Sequence, residues 1–220
     1  MNKETLKTWR IFIPGIITIL LIIFGLTNSK EEILTFYKIF KPLEWNDIFV
    51  IAPVLFFGVI YYALGVRWFV WKPFNFQVQE NIKNKILNDS NLTLTSSQWF
   101  KIKKDRALMN IFYSFVDNDE SLKEKAKSVR MNGLVWSSFI DLSVLSCLSA
   151  LVHSGIYIYT SKLHHVYLAW IMFCISFISL LFVCLLTYRH INKSNEQLEI
   201  ITQRKKDEID PEIQKVVDNL

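Results

Sequence analysis

Asp141 and Arg67 are the only formal charges within four long apolar stretches, residues 11–27, 48–71, 133–159 and 166–188. A carboxylate in hydrocarbon costs on the order of 3 kcal/mol on insertion scales, so it must face protein or water. Asp141 stands eight residues into the third stretch, about 12 Å along a helix axis. Arg67 stands one turn before Trp71, near the end of the second. Stretches two and three run in opposite directions, so the two charges fall at similar depth. Three chemistries follow. The residues form a buried ion pair, within or between subunits; or Asp141 is an ion-path or gating carboxylate; or it is a neutral acid hydrogen-bonded to Ser137 or Ser138.

Other reactive residue types are not spaced for chemistry. His153, His164 and His165 lack a cysteine or carboxylate at ligand spacing, so no metal site is expected. The string Asp117-Asn118-Asp119-Glu120-Ser121 is similar to a calcium loop, but Leu122 replaces the required glycine and Ser128 the bidentate acid. A phosphate loop, His-Glu-x-x-His and Gly-x-Ser-x-Gly do not occur. The chain is therefore expected to be no enzyme and to need no cofactor.

Two surfaces remain. Lys101, Lys103, Lys104 and Arg106, beside Trp99 and Phe100, suit a phosphate-rich partner. Anionic lipid headgroups are the preferred one, at about 1 kcal/mol per basic residue; direct nucleic-acid binding is not expected. Ile213, Val216, Val217 and Leu220 share one helical face and want an apolar partner, either the chain's own loop or another chain.

The elements that must position these residues are membrane helices. The stretches of 17, 24, 27 and 23 residues can each cross about 30 Å of hydrocarbon, the first only just. A hydrophobic fraction of 51% agrees. Residues 1–30 resemble a signal peptide in their basic start, but lack a small-x-small cleavage pattern, so an uncleaved span is expected. Lys and Arg number 3 in residues 1–10, 11 in 72–132 and 6 in 189–220, against 3 in 28–47 and 1 in 160–165. The positive-inside rule then places both ends and the middle loop in the cytoplasm. Trp9, Trp68, Trp71, Trp136 and Tyr188 mark the inner interface; Trp45, Tyr157, Tyr159, Tyr167 and Trp170 mark the outer one.

Local signals add detail. Ser29 to Glu32 reads as a capping box opening a flat apolar segment over 33–40, stopped by Pro42. Helices are expected over 77–87, from Ser96 or Ser97 to Val116, and from Glu120 into span three, capped by Asp117 or Asp119. The tail should continue span four to about Ile209, with Asp210-Pro211 breaking it. Ser143, Ser146, Cys147, Ala150 and Ser154 line one side of span three, almost opposite Asp141. They should meet Ala169, Met172, Ser176, Ser179, Val183 and Thr187 of span four, with Gly15, Thr18 and Gly25 as a similar seam on span one. Cys147, Cys174 and Cys184 should act as small apolar packers.

The fold expected is all-α: a four-helix transmembrane bundle, both ends inside, with a helical cytoplasmic layer and a C-terminal cytoplasmic helix. Its parts are 1–71, 72–132, 133–188 and 189–220. This plan, with its Asn/Ile/Lys-rich sequence, resembles the small membrane components of bacterial antiphage systems, such as Kiwa membrane subunits. The resemblance covers architecture. It implies a bacterial inner-membrane homo-oligomer, with a tetramer the first candidate, working with a soluble nucleic-acid-binding partner or perturbing the membrane itself. The residues favour a non-enzymatic subunit coupling a membrane event to a soluble cytoplasmic partner. The alternative is an ion-conducting pore at an oligomer axis, since four spans cannot enclose one alone.

Overall fold

Proline and glycine decide how the apolar stretches become helices. The computed structural model describes residues 3–26, 48–104, 106–204 and 206–218, and every element among them is a helix. They are α1 (Lys3–Leu26), α2 (Ile48–Leu64), α3 (Val66–Asp89), α4 (Ser96–Lys104), α5 (Ala107–Asn118), α6 (Glu120–Thr160), α7 (Leu163–Arg204) and α8 (Lys206–Asp218). The capping box at Ser29, the flat segment over 33–40, Pro42 and Trp45 lie outside the described residues.

Among the described residues three helices are long and apolar enough to cross a membrane: Glu4–Gly25, Glu120–Thr160 and Leu163–Gln203. A fourth crossing results if α2 and α3 count as one span, bent by 59°. The second stretch is thus not the continuous helix its composition suggested. Gly65 breaks it with φ +62°, a left-handed conformation that costs an L side chain about 1–2 kcal/mol. Gly65 N donates to Tyr62 O at 3.1 Å, and Trp68 N to Gly65 O at 2.9 Å, closing one helix and opening the next.

The chain divides into two compact units. The apolar unit comprises Asn2–Trp71 with Leu134–Cys184. The polar unit comprises Lys72–Gly133 with Leu185–Leu220. α3, α6 and α7 each supply residues to both.

In the apolar unit α1 and α2 cross at two glycines. A Cβ at Gly15 would overlap Val54 O, and one at Gly58 would overlap Ile11 O. Backbones this close exchange Cα–H···O contacts and dispersion, the main attraction left between helices in lipid. α6 and α7 pack along the small-residue faces. Ser143 Oγ donates to Ser176 O at 3.1 Å, and Ser176 Oγ to Ser143 O at 2.8 Å. Ser146, Ala150, Met172, Ser179 and Val183 are buried along the seam, and Phe139 stacks on Phe182 at 5.0 Å. Cys147, Cys174 and Cys184 are exposed. Serines and alanine fill the seam instead, which corrects the expectation that Cys147 lies on that face.

The polar unit has its own core: Ile82 and Ile86 of α3, Ile102 of α4, Leu108 and Phe112 of α5, Leu122 of α6, and Leu198 of α7 are all buried. Asp119 caps α6, its Oδ1 accepting from Ser121 N at 2.9 Å and Leu122 N at 3.2 Å. Two boundaries differ from the sequence expectation. The helix expected from Ser96 to Val116 is two, α4 and α5. Pro211 does not break the tail; it lies inside α8. The missing N–H there is outweighed by burial of Ile209, Ile213 and Val217, as α8 packs on α4 and α5.

Candidate functional site

Arg67 and Asp141 form a doubly bonded pair in the apolar unit. Arg67 Nε donates to Asp141 Oδ1 at 2.7 Å, and Nη2 to Oδ2 at 2.6 Å. The planar guanidinium meets both carboxylate oxygens, a geometry lysine cannot supply. Asp141 is 1% exposed. Gly65 sets the arrangement, since its turn puts Arg67 in the first turn of α3 rather than along a straight extension of α2.

A third helix joins through a proline. Pro14 lies inside α1 and has no N–H to give the carbonyl four residues back, that of Arg10. Arg67 Nη2 donates to Arg10 O at 2.9 Å. One side chain therefore neutralises Asp141 and satisfies a carbonyl that the helix itself leaves open. Thr18 Oγ1 returns to Pro14 O at 2.8 Å within the same turn of α1. Tyr61 is buried beside the pair, with Arg67 Cζ 6.0 Å from its ring centroid, and Trp71 meets Trp136 at 6.2 Å. Chemically this is a staple across α1, α3 and α6, an ion pair tied to a backbone carbonyl. Both carboxylate oxygens are engaged, so Asp141 offers no free oxygen to a passing ion in this arrangement. Ser137 and Ser138 bond Leu134 O rather than Asp141.

The basic run is divided between two tasks. Lys103 Nζ pairs with Glu80 Oε2 at 2.8 Å and lies 5.4 Å from the Trp99 ring. Lys83 Nζ donates to Lys103 O at 2.6 Å, tying the end of α4 to α3. Lys104 lies 4.3 Å from the Phe100 ring, while Lys101 and Arg106 are exposed. The sequence reading missed Glu80. Its signal was weak, a lone acid among amides, and only tertiary packing brings it to Lys103.

The C-terminal stripe is taken up by the chain itself. Ile213 is fully buried and Val217 nearly so in the polar unit, Val216 sits half-buried at the edge, and Leu220 lies outside the described residues. The stripe thus meets the chain's own loop, the first of the two covers expected for it.

At the other end of the apolar unit His153, His164 and His165 come together. His153 Nδ1 lies 3.2 Å from His165 Nδ1, and the rings of His164 and His165 meet edge-on at 5.3 Å. Among the described residues no group of three metal-ligand side chains forms. No protein-family model, curated protein or solved structure matches this chain.

Proposed function

We propose that the chain is a non-enzymatic membrane subunit that homo-oligomerises and passes a membrane event to a soluble cytoplasmic partner. In this reading α2 and α3 together make one bent crossing, so four spans leave both ends and the polar unit in the cytoplasm. The membrane is the inner membrane of a bacterium, and antiphage defence is the setting its architecture resembles. The observation that carries the reading is the shared helices. α3, α6 and α7 run without a break from an apolar unit stapled by Arg67, Asp141 and the Arg10 carbonyl into a polar unit with its own core. In this reading a displacement at the staple passes on along helix backbone rather than through a loop.

The pore reading takes Asp141 or the basic layer as its lining charge. Pairing inside one protomer weighs against Asp141 in that role, because a filter needs its charge facing the path.

Native mass spectrometry of the detergent-solubilised protein tests assembly directly. The reading expects one symmetric oligomer, with four copies the first candidate; a strict monomer at all detergent concentrations overturns it. Labelling of single cysteines in a background lacking Cys147, Cys174 and Cys184 tests topology. Tags at 77–130 should form only after the cells are opened.

A further inference from the structure

A cavity of about 510 Å³ lies between α1 and α6 at the end of the apolar unit where α6 turns into α7. Its walls are mainly aliphatic: Leu145, Leu148, Val152 and Ile156 on α6 face Leu21 and Ile22 on α1, with Ser149 and Thr18 among them. From 145 to 156 the α6 wall is about 16 Å long at the helical rise. Leu148, Val152 and Ile22 are each 40% exposed or more, so the cavity opens sideways along the helices.

One end of it is different. Lys162 and His165 line that end, with His153, only 6% exposed, behind them. The His153 and His165 rings stack at 5.4 Å. Gly25 makes the room, because a Cβ there would stand 2.8 Å from His153 Nε2. Among the described residues no acid lines the cavity, and the first turn of α7 carries none. A long apolar wall with a lysine at one end is the shape of an acyl chain joined to an anionic headgroup. The volume lies within the range of small-ligand sites.

We propose that this cavity holds an acyl chain of an anionic membrane phospholipid, its phosphate set against Lys162 and His165. Phosphate takes a charge-assisted hydrogen bond from the Lys162 ammonium, and His165 adds a ring nitrogen beside it. A zwitterionic choline lipid would bring its own cation beside Lys162 and lose that advantage. The site goes beyond the proposed coupling role but rests on the chain lying in a membrane.

The full-length protein, reconstituted with equal phosphatidylglycerol and phosphatidylcholine, provides the test by native mass spectrometry. Wild type should keep one phosphatidylglycerol per protomer under conditions that strip other lipids. Lys162→Glu, at an exposed turn, should cut that preference about fivefold or more, the worth of roughly one basic residue near anionic lipid. Ser149→Phe, which fills the cavity from α6, should remove the bound lipid altogether while size-exclusion elution stays as in wild type. Equal retention of the two lipids overturns the proposal, as does a phosphatidylglycerol adduct indifferent to both substitutions. A retained free fatty acid in place of the phospholipid overturns it too. If alkaline carbonate releases the chain from membranes, the membrane reading itself falls. Retention in the pellet with unaltered adducts sinks the lipid site alone.

Discussion

Pro14 and Arg67 are complementary across two helices: the proline ring withholds a donor from the Arg10 carbonyl, and Arg67 Nη2 supplies one at 2.9 Å. The same guanidinium holds both oxygens of Asp141. Removing it strips the guanidinium from three acceptor atoms, the two Asp141 oxygens and the Arg10 carbonyl oxygen.

Arg67→Gln should therefore destabilise the apolar unit by about 3–5 kcal/mol, the usual result of stranding one partner of a buried pair. Arg67→Lys keeps the charge but loses the fork, and about 1–3 kcal/mol is expected from the acceptor left unmet. Pro14→Ala restores an N–H for the Arg10 carbonyl, so Arg67→Lys should cost less in that background, by about 0.5–1.5 kcal/mol. Thermal unfolding in detergent, followed by tryptophan fluorescence, completes the cycle. Strict additivity would show that Pro14 and Arg67 are not coupled.

Gly15 and Gly58 should respond differently from Gly65. Alanine at either crossing glycine meets backbone oxygen and must push α1 and α2 apart, at about 1–3 kcal/mol each. Nothing lies within 4 Å of a Cβ at Gly65, so Gly65→Ala costs only the left-handed conformation, about 1–2 kcal/mol. Disulfide cross-linking between α1 and α2 separates the cases. It should weaken for Gly15→Ala and Gly58→Ala and persist for Gly65→Ala.

The C-terminal stripe predicts a split between neighbours. Ile213→Ala should cost about 2–5 kcal/mol as a core truncation in the polar unit. Val216→Ala, at the edge, should cost well under half of that. Limited proteolysis of the purified protein reads the difference, with cleavage appearing first in α8 for Ile213→Ala. Equal resistance would mean the stripe is not part of this core.

In the basic run, Lys103→Ala should lower stability by about 1 kcal/mol through loss of Glu80 and the Trp99 face. Arg106→Ala, at an exposed position, should stay within about 0.5 kcal/mol. Capture of anionic vesicles by the full-length protein held in neutral-lipid nanodiscs is expected to weaken more for Arg106→Ala than for Lys103→Ala.

Helical class and apolar extent were legible because they depend on composition over twenty residues, where single positions average out. The partnership of Arg67 with Asp141 was legible from depth, since few charges in lipid leave few possible partners. The face of α6 that meets α7 was legible because Ser143, Ser146 and Ala150 recur at helical spacing. Gly58 was not legible as the counterpart of Gly15, because one glycine in an apolar run carries no periodic signal. Gly65 was hidden for the same reason, although its left-handed turn aims Arg67. The role of Pro14 was invisible without its partner: a missing N–H matters only once Arg67 stands beside the open carbonyl. Pro211 misled because local propensity was weighed without the burial of Ile209 and Ile213 that overrides it.

Ion flux through proteoliposomes carrying wild type or Asp141→Asn, read beside thermal stability, tests most directly whether the Arg67–Asp141 pair is a staple. Both vesicle sets should stay silent while Asp141→Asn unfolds at a clearly lower temperature than wild type. A steady conductance in wild type that Asp141→Asn abolishes, with stability unchanged, would contradict the account.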